Sequence, residues 1–211
     1  MTQRLSTSIA DVARPQAMWP WAVMAILSTV VGAYALFLTV TGFAFVPSNV
    51  KANAFPSPLG VEIHIAASAF ALLMGPWQFL RPLRTRWPNV HRWMGRTYVA
   101  ACLAGGAAGA SIALFSQAGP IAGSAFLVLG VLWVLTTSLG WRAARQRRFV
   151  DHERWMIRSF ALTFAAVTLR AYLPIGIMLY PGDFYFPYRV IAWLCWVPNL
   201  LVAETWLRVR A

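Results

Sequence analysis

Six apolar runs, each near the length of a membrane-spanning helix, recur along this chain of 211 residues. About 20 apolar residues in a helix cross the roughly 30 Å hydrocarbon core of a bilayer. The runs are Met18–Thr41, Gly60–Leu80, Gly95–Ser116, Gly119–Trp141, Trp155–Tyr180 and Pro187–Leu207. They predict an all-α polytopic membrane protein, a six-transmembrane-helix bundle forming a single domain over residues 18–211, after a polar tail over residues 1–17.

Charge supports this fold class and predicts its orientation. Only 11% of the residues are charged, whereas a soluble domain has roughly 25%. Most of the 18 bases lie in the tail, in the loops after the second and fourth runs, and at the C-terminus. Positively charged loops stay in the cytoplasm, so both termini are expected there, in a bacterial inner membrane. Lys and Arg residues beside apolar runs are explained by the orientation of the protein in the lipid bilayer. Nucleic-acid binding is therefore not expected. The first run is longer than the core of a signal peptide and is expected to be retained.

Ionisable residues inside the apolar runs mark the first candidate site. Glu62 and His64 lie early in the second run and Arg170 lies past the middle of the fifth, which places them at similar depths at about 1.5 Å per residue. Pro174 leaves the carbonyl of Arg170 without its helical donor. We expect a ligand pocket at Glu62, His64 and Arg170. The structural alternative is that Glu62 or a carbonyl satisfies Arg170, while His64 bonds a neighbouring helix.

The pattern Arg-Trp-Met-x-Arg occurs twice, at Arg92–Arg96 and Arg154–Arg158, and a histidine precedes each copy. His91 and His152 therefore open the third and fifth helices at the cytoplasmic end, where helix N-termini favour anions. The residues expected at an anion or headgroup site are Arg96, Arg154, Arg158 and Glu204. The alternative is an interfacial anchor, in which arginines meet lipid phosphates and Glu204 neutralises one of them.

Haem is the cofactor that paired histidines would hold. His91 and His152 could share one, although they lie at the edge of their helices rather than within the membrane. No metal site is predicted, and the two cysteines fall in apolar runs where packing is expected. The pattern Gly105-x-x-x-Gly109 is expected to let helices approach closely.

Several of these stretches carry a resemblance to a known family. They are His64, Leu72–Phe79, His91–Tyr98, His152–Ser159 and Ala165–Arg170. Over roughly residues 60–205 the chain resembles the bacterial multi-pass membrane proteins of domain of unknown function 2306. This resemblance implies a plasma-membrane helical bundle and implies no activity. A weaker likeness is to cytochrome b561-type bundles, in which histidines on successive helices hold two haems; three histidines, rather than four, depart from that pattern.

Together these features predict a membrane redox protein that binds haem b or a quinone. A quinone carbonyl close to lipid needs hydrogen-bond donors, which His64 and Arg170 would supply. The alternatives are a transporter for a small solute or a lipid headgroup, and a structural subunit of a larger membrane complex or homo-oligomer. No nucleotide-binding, zinc-protease or serine-hydrolase motif is present, so the sequence predicts no particular reaction.

Overall fold

The computed structural model describes residues 18–42, 44 and 58–209, and these residues form helices and turns without a strand. The α-helices are α1 (Met18–Val40), α2 (Pro58–Met74), α3 (Arg81–Thr85), α4 (Pro88–Ala113), α5 (Pro120–Arg145), α6 (Phe149–Thr163), α7 (Ala165–Leu179), α8 (Tyr185–Leu194) and α9 (Val197–Val209), and a 3₁₀ turn covers Pro76–Phe79. The predicted all-α membrane fold is confirmed. The tail predicted over residues 1–17 lies outside the described residues.

Within the described residues, five segments are long and apolar enough to cross a membrane. They are Met18–Val40, Leu59–Phe79, Pro120–Arg145, Phe149–Leu179 and Tyr185–Val209. Each overlaps one of the predicted runs. The remaining run corresponds to α4, which is 26 residues long but rich in alanine and glycine, and therefore less apolar. Because α4 packs between α2 and α5, it belongs to the bundle, while a count of six spans stays a prediction.

Helices that follow one another in sequence pack side by side. Helix α1 packs on α2, α2 on α4, α4 on α5 and α5 on α6. Helices α7 and α8 form a hairpin, α8 also contacts α5, and α9 returns along α6. Arginines cluster at one end of this bundle, near the start of α4 and the α5–α6 connection, and we call this the arginine-rich end. The opposite end is formed by the helix termini at Val40, Ala113 and Leu179.

Two of the spanning segments are interrupted. The fifth predicted run is divided at Phe164 into α6 and α7, and the sixth is divided at Cys195 and Trp196 into α8 and α9. Pro198 explains the second break, because it has no N–H to donate to the carbonyl of Leu194. No proline or glycine lies beside the break at Phe164, so nothing in the sequence marks it.

Asn199 ties the two breaks together. Its Nδ2 donates to the carbonyl of Cys195 at 2.9 Å and to Oγ1 of Thr168 at 3.2 Å, and it lies 3.4 Å from the carbonyl of Ala161. The hydroxyl of Thr168 also donates to the Cys195 carbonyl. Carbonyls released by the interrupted helices thus find polar partners inside the bundle, as backbone groups in a membrane must.

The orientation of the bundle can be tested with a topology reporter. A reporter fused after Arg210 should report the cytoplasm, and the same reporter inserted between residues 46 and 58 should report the periplasm, because the arginine-rich loops stay inside. The measurement is the activity of a compartment-dependent reporter in whole cells. The reverse pattern would contradict the orientation read from the basic residues.

Candidate functional site

A cavity of about 750 Å³ lies in the half of the bundle away from the arginine-rich end. All of α1, α2, α4, α5, α6, α7 and α8 contribute to its mostly apolar lining. Glu62, Ser116 and Phe184 lie at helix termini and mark its rim, whereas Trp133, near the middle of α5, marks its floor. Small-molecule sites commonly have volumes of about 300–1,000 Å³, so the cavity has the size of a ligand site.

The three residues of the first predicted site, Glu62, His64 and Arg170, all line this cavity. Tyr34 of α1 and Tyr188 of α8 line it too, and they add phenolic hydroxyls that were not predicted. A tyrosine in an apolar helix is usually a packing residue, so the sequence alone carried no signal that would single these two out. The structure brings the predicted residues to one place, while their binding role stays a prediction.

The side chain of His64 is held by the neighbouring helix α4. Its Nδ1 lies 2.8 Å from the carbonyl oxygen of Gly105. Because a carbonyl only accepts hydrogen bonds, Nδ1 carries the hydrogen, and Nε2 of the neutral ring is then an acceptor. No hydrogen bond joins Nε2 to any residue in the described part of the chain, so this nitrogen is free to meet a ligand.

Gly109 makes room for the His64 ring. A Cβ at position 109 would lie 2.7 Å from Nδ1 and 2.9 Å from Cε1 of His64, which is closer than van der Waals contact allows. Gly105 supplies the carbonyl and Gly109 the space, so the Gly105-x-x-x-Gly109 pattern positions the histidine. The sequence predicted only close helix packing from these glycines.

Arg170 has no carboxylate partner among the described residues. Its Nη1 donates to the carbonyl of Ala166, one turn earlier in α7, at 2.9 Å. No carboxylate oxygen of a described residue lies within 4 Å of the guanidinium, and Glu62 at the cavity rim is exposed. Arg170 is therefore bonded by a carbonyl, which is one of the two structural partners considered from the sequence. This bond uses only one of the five N–H groups of the guanidinium and leaves its positive charge unbalanced.

A chain of buried hydroxyls meets the cavity at Trp133 and Thr163, which line it. The indole N–H of Trp133 donates to Oγ1 of Thr163 at 2.9 Å, and Thr163 lies 2.9 Å from the hydroxyl of Tyr98. Tyr98 lies 3.0 Å from Oγ of Ser159, which lies 2.7 Å from Oγ1 of Thr137. Thr137 donates to the carbonyl of Trp133 at 2.7 Å. The chain therefore begins and ends at Trp133.

One assignment of hydrogens satisfies every member of this chain. Thr163 donates to Tyr98, Tyr98 to Ser159, Ser159 to Thr137 and Thr137 to the Trp133 carbonyl, so that each hydroxyl donates once and accepts once. Oγ1 of Thr163 also lies 2.9 Å from the carbonyl of Ser159 in its own helix, which is the other acceptor within reach of its hydrogen. Tyr98 is only 1% exposed. The network joins α4, α5 and α6, and it fixes the Trp133 ring that closes the cavity. In the sequence, the members of this network resemble ordinary helix residues. The network can be recognised only from their positions in the structure.

At the arginine-rich end the structure pairs Arg158 with Glu204. Nε and Nη2 of Arg158 donate to the two carboxylate oxygens at 2.5 and 2.9 Å, and the guanidinium lies 4.9 Å from the ring centre of Trp155. Arg96 lies 5.0 Å from the ring centre of Trp93 and is exposed, as is Arg154. The predicted anion group therefore divides into one ion pair and two surface arginines. The structure shows Glu204 paired with one arginine, while both the anion site and the interfacial anchor stay predictions.

Arg96 and Arg158 occupy the same position in the two copies of the repeated motif, which allows a matched test. We expect Arg158→Lys to lower the free energy of unfolding by about 1 kcal/mol, because lysine lacks the planar fork that reaches both oxygens of Glu204. Arg96→Lys should change it by less than about 0.5 kcal/mol, because only an exposed stacking contact changes. Thermal unfolding in detergent measures both. Equal effects in the two variants would contradict the distinction.

His91 and His152 lie near each other at the arginine-rich end. Nδ1 of His152 donates to the carbonyl of Gly140 at 2.9 Å, while Nδ1 of His91 is buried without a partner among the described residues. Burial, together with the positive charges of His152, Arg84 and Arg92, lowers the pKa of His91. No group of three or more potential metal-ligating His, Cys, Asp or Glu side chains forms in the described ranges.

This lowered pKa makes stability depend on pH. As the pH falls, the unfolded chain takes up a proton at His91 at a higher pH than the folded chain does. The contribution of His91 to the free energy of unfolding is therefore complete above about pH 6.5 and is lost as the pH falls below that value. The melting temperature in detergent should therefore fall as the pH drops below about 6.5, and His91→Gln should weaken that dependence. An unchanged pH dependence in His91→Gln would contradict the assignment.

Fold and cavity together define a multi-pass helical membrane protein with a ligand-sized cavity. The chain belongs to the family described as "Predicted membrane protein (DUF2306)", whose model matches residues 61–207. The family resemblance inferred from the sequence is thereby confirmed. Neither the curated proteins nor the solved structures contain a match to this chain. The family description gives membrane location and no activity.

Proposed function

We propose that this protein binds a membrane quinone or quinol in the cavity lined by His64 and Arg170, as part of membrane redox work. The observation that carries the proposal is the fixed His64 ring, which turns Nδ1 to Gly105 and leaves Nε2 without a hydrogen bond to any described residue, at the edge of an apolar cavity. We also propose that the protein lies in the bacterial inner membrane, because arginine-rich loops beside apolar helices are typical of proteins in that membrane.

The chemistry of His64 suits the reduced form of such a ligand. With its hydrogen on Nδ1, the neutral ring offers Nε2 as an acceptor, and a quinol hydroxyl is a donor. Arg170 supplies donors for the oxidised carbonyl form or for a second ligand oxygen. The apolar lining suits the ring and the start of an isoprenoid tail, because burying apolar surface is favourable.

A ligand-dependent melting experiment tests this proposal. Decylubiquinol should raise the melting temperature of the purified protein in a dose-dependent manner, because a ligand that binds only the folded state stabilises it. His64→Ala should remove that rise. His91→Ala is the matched control, because this histidine lies at the other end of the bundle. Equal stabilisation of the His64→Ala variant would contradict the proposed site.

The same experiment separates the rival functions. A rise with lipid headgroups or small solutes, but not with quinols, would favour a transporter. No rise with any ligand would favour a structural subunit of a larger complex.

Haem b between His91 and His152 is a second candidate, supported by one specific observation. These histidines lie about two helical turns before Tyr98 and Ser159, whose side-chain oxygens are 3.0 Å apart. Both histidines therefore lie on the facing sides of α4 and α6. The bond from His152 to Gly140 leaves Nε2 as a potential iron ligand, and a hydrogen bond from the other ring nitrogen to a carbonyl is typical of metal-binding histidines.

An absorption spectrum of the purified protein tests the haem candidate. A Soret band that shifts on reduction, and that is lost in both His91→Ala and His152→Ala, is the expected result for a haem held by the two histidines. His64→Ala should retain it. A colourless protein purified from haem-supplemented cells would eliminate this candidate without affecting the quinone proposal.

A further inference from the structure

We infer that the cavity binds its ligand through a negatively charged oxygen held by Arg170 beside His64, so that the ligand is an acidic amphiphile bound in its ionised form. This inference rests on the proposed function and narrows its substrate class. An ionised quinol hydroxyl is one source of such an oxygen, and the carboxylate of a fatty acid is another.

The unbalanced charge of Arg170 is the first argument. Every ion pair between described residues lies outside the cavity: the pairs are Arg84–Glu153, Arg148–Asp151 and Arg158–Glu204. An arginine at the centre of a membrane helix is costly, and arginine remains charged in proteins. A ligand anion would provide the opposite charge that the described residues do not.

The broken span is the second argument. Helix α7 begins directly after the break at Phe164, and its first residues, Ala165 and Ala166, line the cavity. Among the described residues, no backbone hydrogen bond from these two amides crosses the break to α6. The first N–H groups of a helix lack partners within it and favour negative charge nearby. Ala166 also supplies the carbonyl that accepts from Nη1 of Arg170, so these two amides lie close to the guanidinium.

The hydrogen-bonding state of His64 is the third argument. When a quinol binds, its O–H bond can break, with the proton forming an N–H bond at Nε2 of His64 while the oxygen keeps the electron pair and meets Arg170. Nδ1 keeps its hydrogen and its bond to Gly105. No electron is transferred in this step. A fatty acid would arrive already ionised and would need only Arg170 and the helix amides.

A series of ligands with one tail and different heads tests the inference on the unaltered protein. The probes are decylhydroquinone, its dimethyl ether, decanoate and decanol, and tryptophan fluorescence reports binding because Trp133 forms the cavity floor. We expect each acidic probe to bind on the order of tenfold more tightly than its neutral counterpart, since hydrogen bonds to charged groups are stronger. Arg170→Gln should abolish this difference, and Arg170→Lys should retain part of it.

The outcomes separate this inference from the proposed function. Equal binding of the ether and the hydroquinone, together with equal binding of decanol and decanoate, would contradict binding of an ionised head group. That result would leave the proposed quinone binding in place. Arg170-dependent binding of decanoate without binding of hydroquinone or quinone would overturn the quinone function and support the acidic amphiphile. Binding of none of the probes would overturn both. If Arg170→Gln cannot be purified, the head-group series on the native protein still decides.

Discussion

Thr163→Val is expected to lower the free energy of unfolding by about 1–3 kcal/mol, although valine has nearly the same shape as threonine. The hydroxyl of Thr163 accepts from the indole of Trp133 and bonds the hydroxyl of Tyr98, both at 2.9 Å. Its removal leaves the Trp133 N–H buried without a partner and breaks the chain of hydroxyls at its first link. Thermal unfolding in detergent, compared with the native protein, measures the loss.

Thr136→Val is the matched control for this substitution. Thr136 is also buried, but its hydroxyl bonds only carbonyls of its own helix, those of Leu132 at 2.8 Å and Trp133 at 3.3 Å. Those carbonyls belong to the interior of α5, so losing the hydroxyl should cost less than about 0.5 kcal/mol. Equal losses at positions 136 and 163 would show that the network contributes nothing beyond ordinary packing.

Gly109→Ala is expected to weaken ligand binding by at least about tenfold while the protein still folds. The new Cβ would lie 2.7 Å from Nδ1 of His64, so the ring must rotate and lose its bond to Gly105. Without that bond, neither the position nor the hydrogen placement of His64 is fixed. The measurement is the affinity for decylubiquinol, with the melting temperature recorded in parallel.

Gly95→Ala provides the control on the same helix. A Cβ at position 95 would meet only Oε1 of Gln78 at 3.5 Å, an ordinary contact, and alanine favours a helix over glycine by about 1 kcal/mol. We therefore expect unchanged ligand affinity and equal or higher stability. A loss of affinity in Gly95→Ala as large as that in Gly109→Ala would mean that any change in α4 disturbs the cavity, and would remove the argument for His64.

The fold and part of the site could be predicted from the sequence, because both depend on the free-energy cost of placing polar groups in lipid. Apolar runs located the helices, and the rarity of charges inside them drew attention to Glu62, His64 and Arg170, which the structure brings to one cavity. The interpretation of Glu204 as a partner for an arginine also matches the structure. In each case, a charged or polar residue within an apolar run was sufficient to predict that it has a role in the site or in an ion pair.

The remainder depends on which helix faces which, and a single sequence does not contain that information. The hydroxyls of Tyr98, Ser159 and Thr163 are unremarkable along the chain, and only the hydrogen bonds that Tyr98 of α4 makes to α6 join them. The break at Phe164 has no proline or glycine beside it. Beside this break, Nδ2 of Asn199 in the neighbouring span lies 3.4 Å from the carbonyl of Ala161, a contact that only the folded chain reveals.

The most direct test of the central claim is to measure what the purified protein carries. Organic extraction of the native protein, followed by quantification of quinones against protein, should give close to one quinone per chain, and His64→Ala should give almost none under the same lipid and detergent conditions. His91→Ala should match the native protein. Quinone at background level in the native protein, or at equal levels in native protein and His64→Ala, would contradict the account of the cavity as a quinone site.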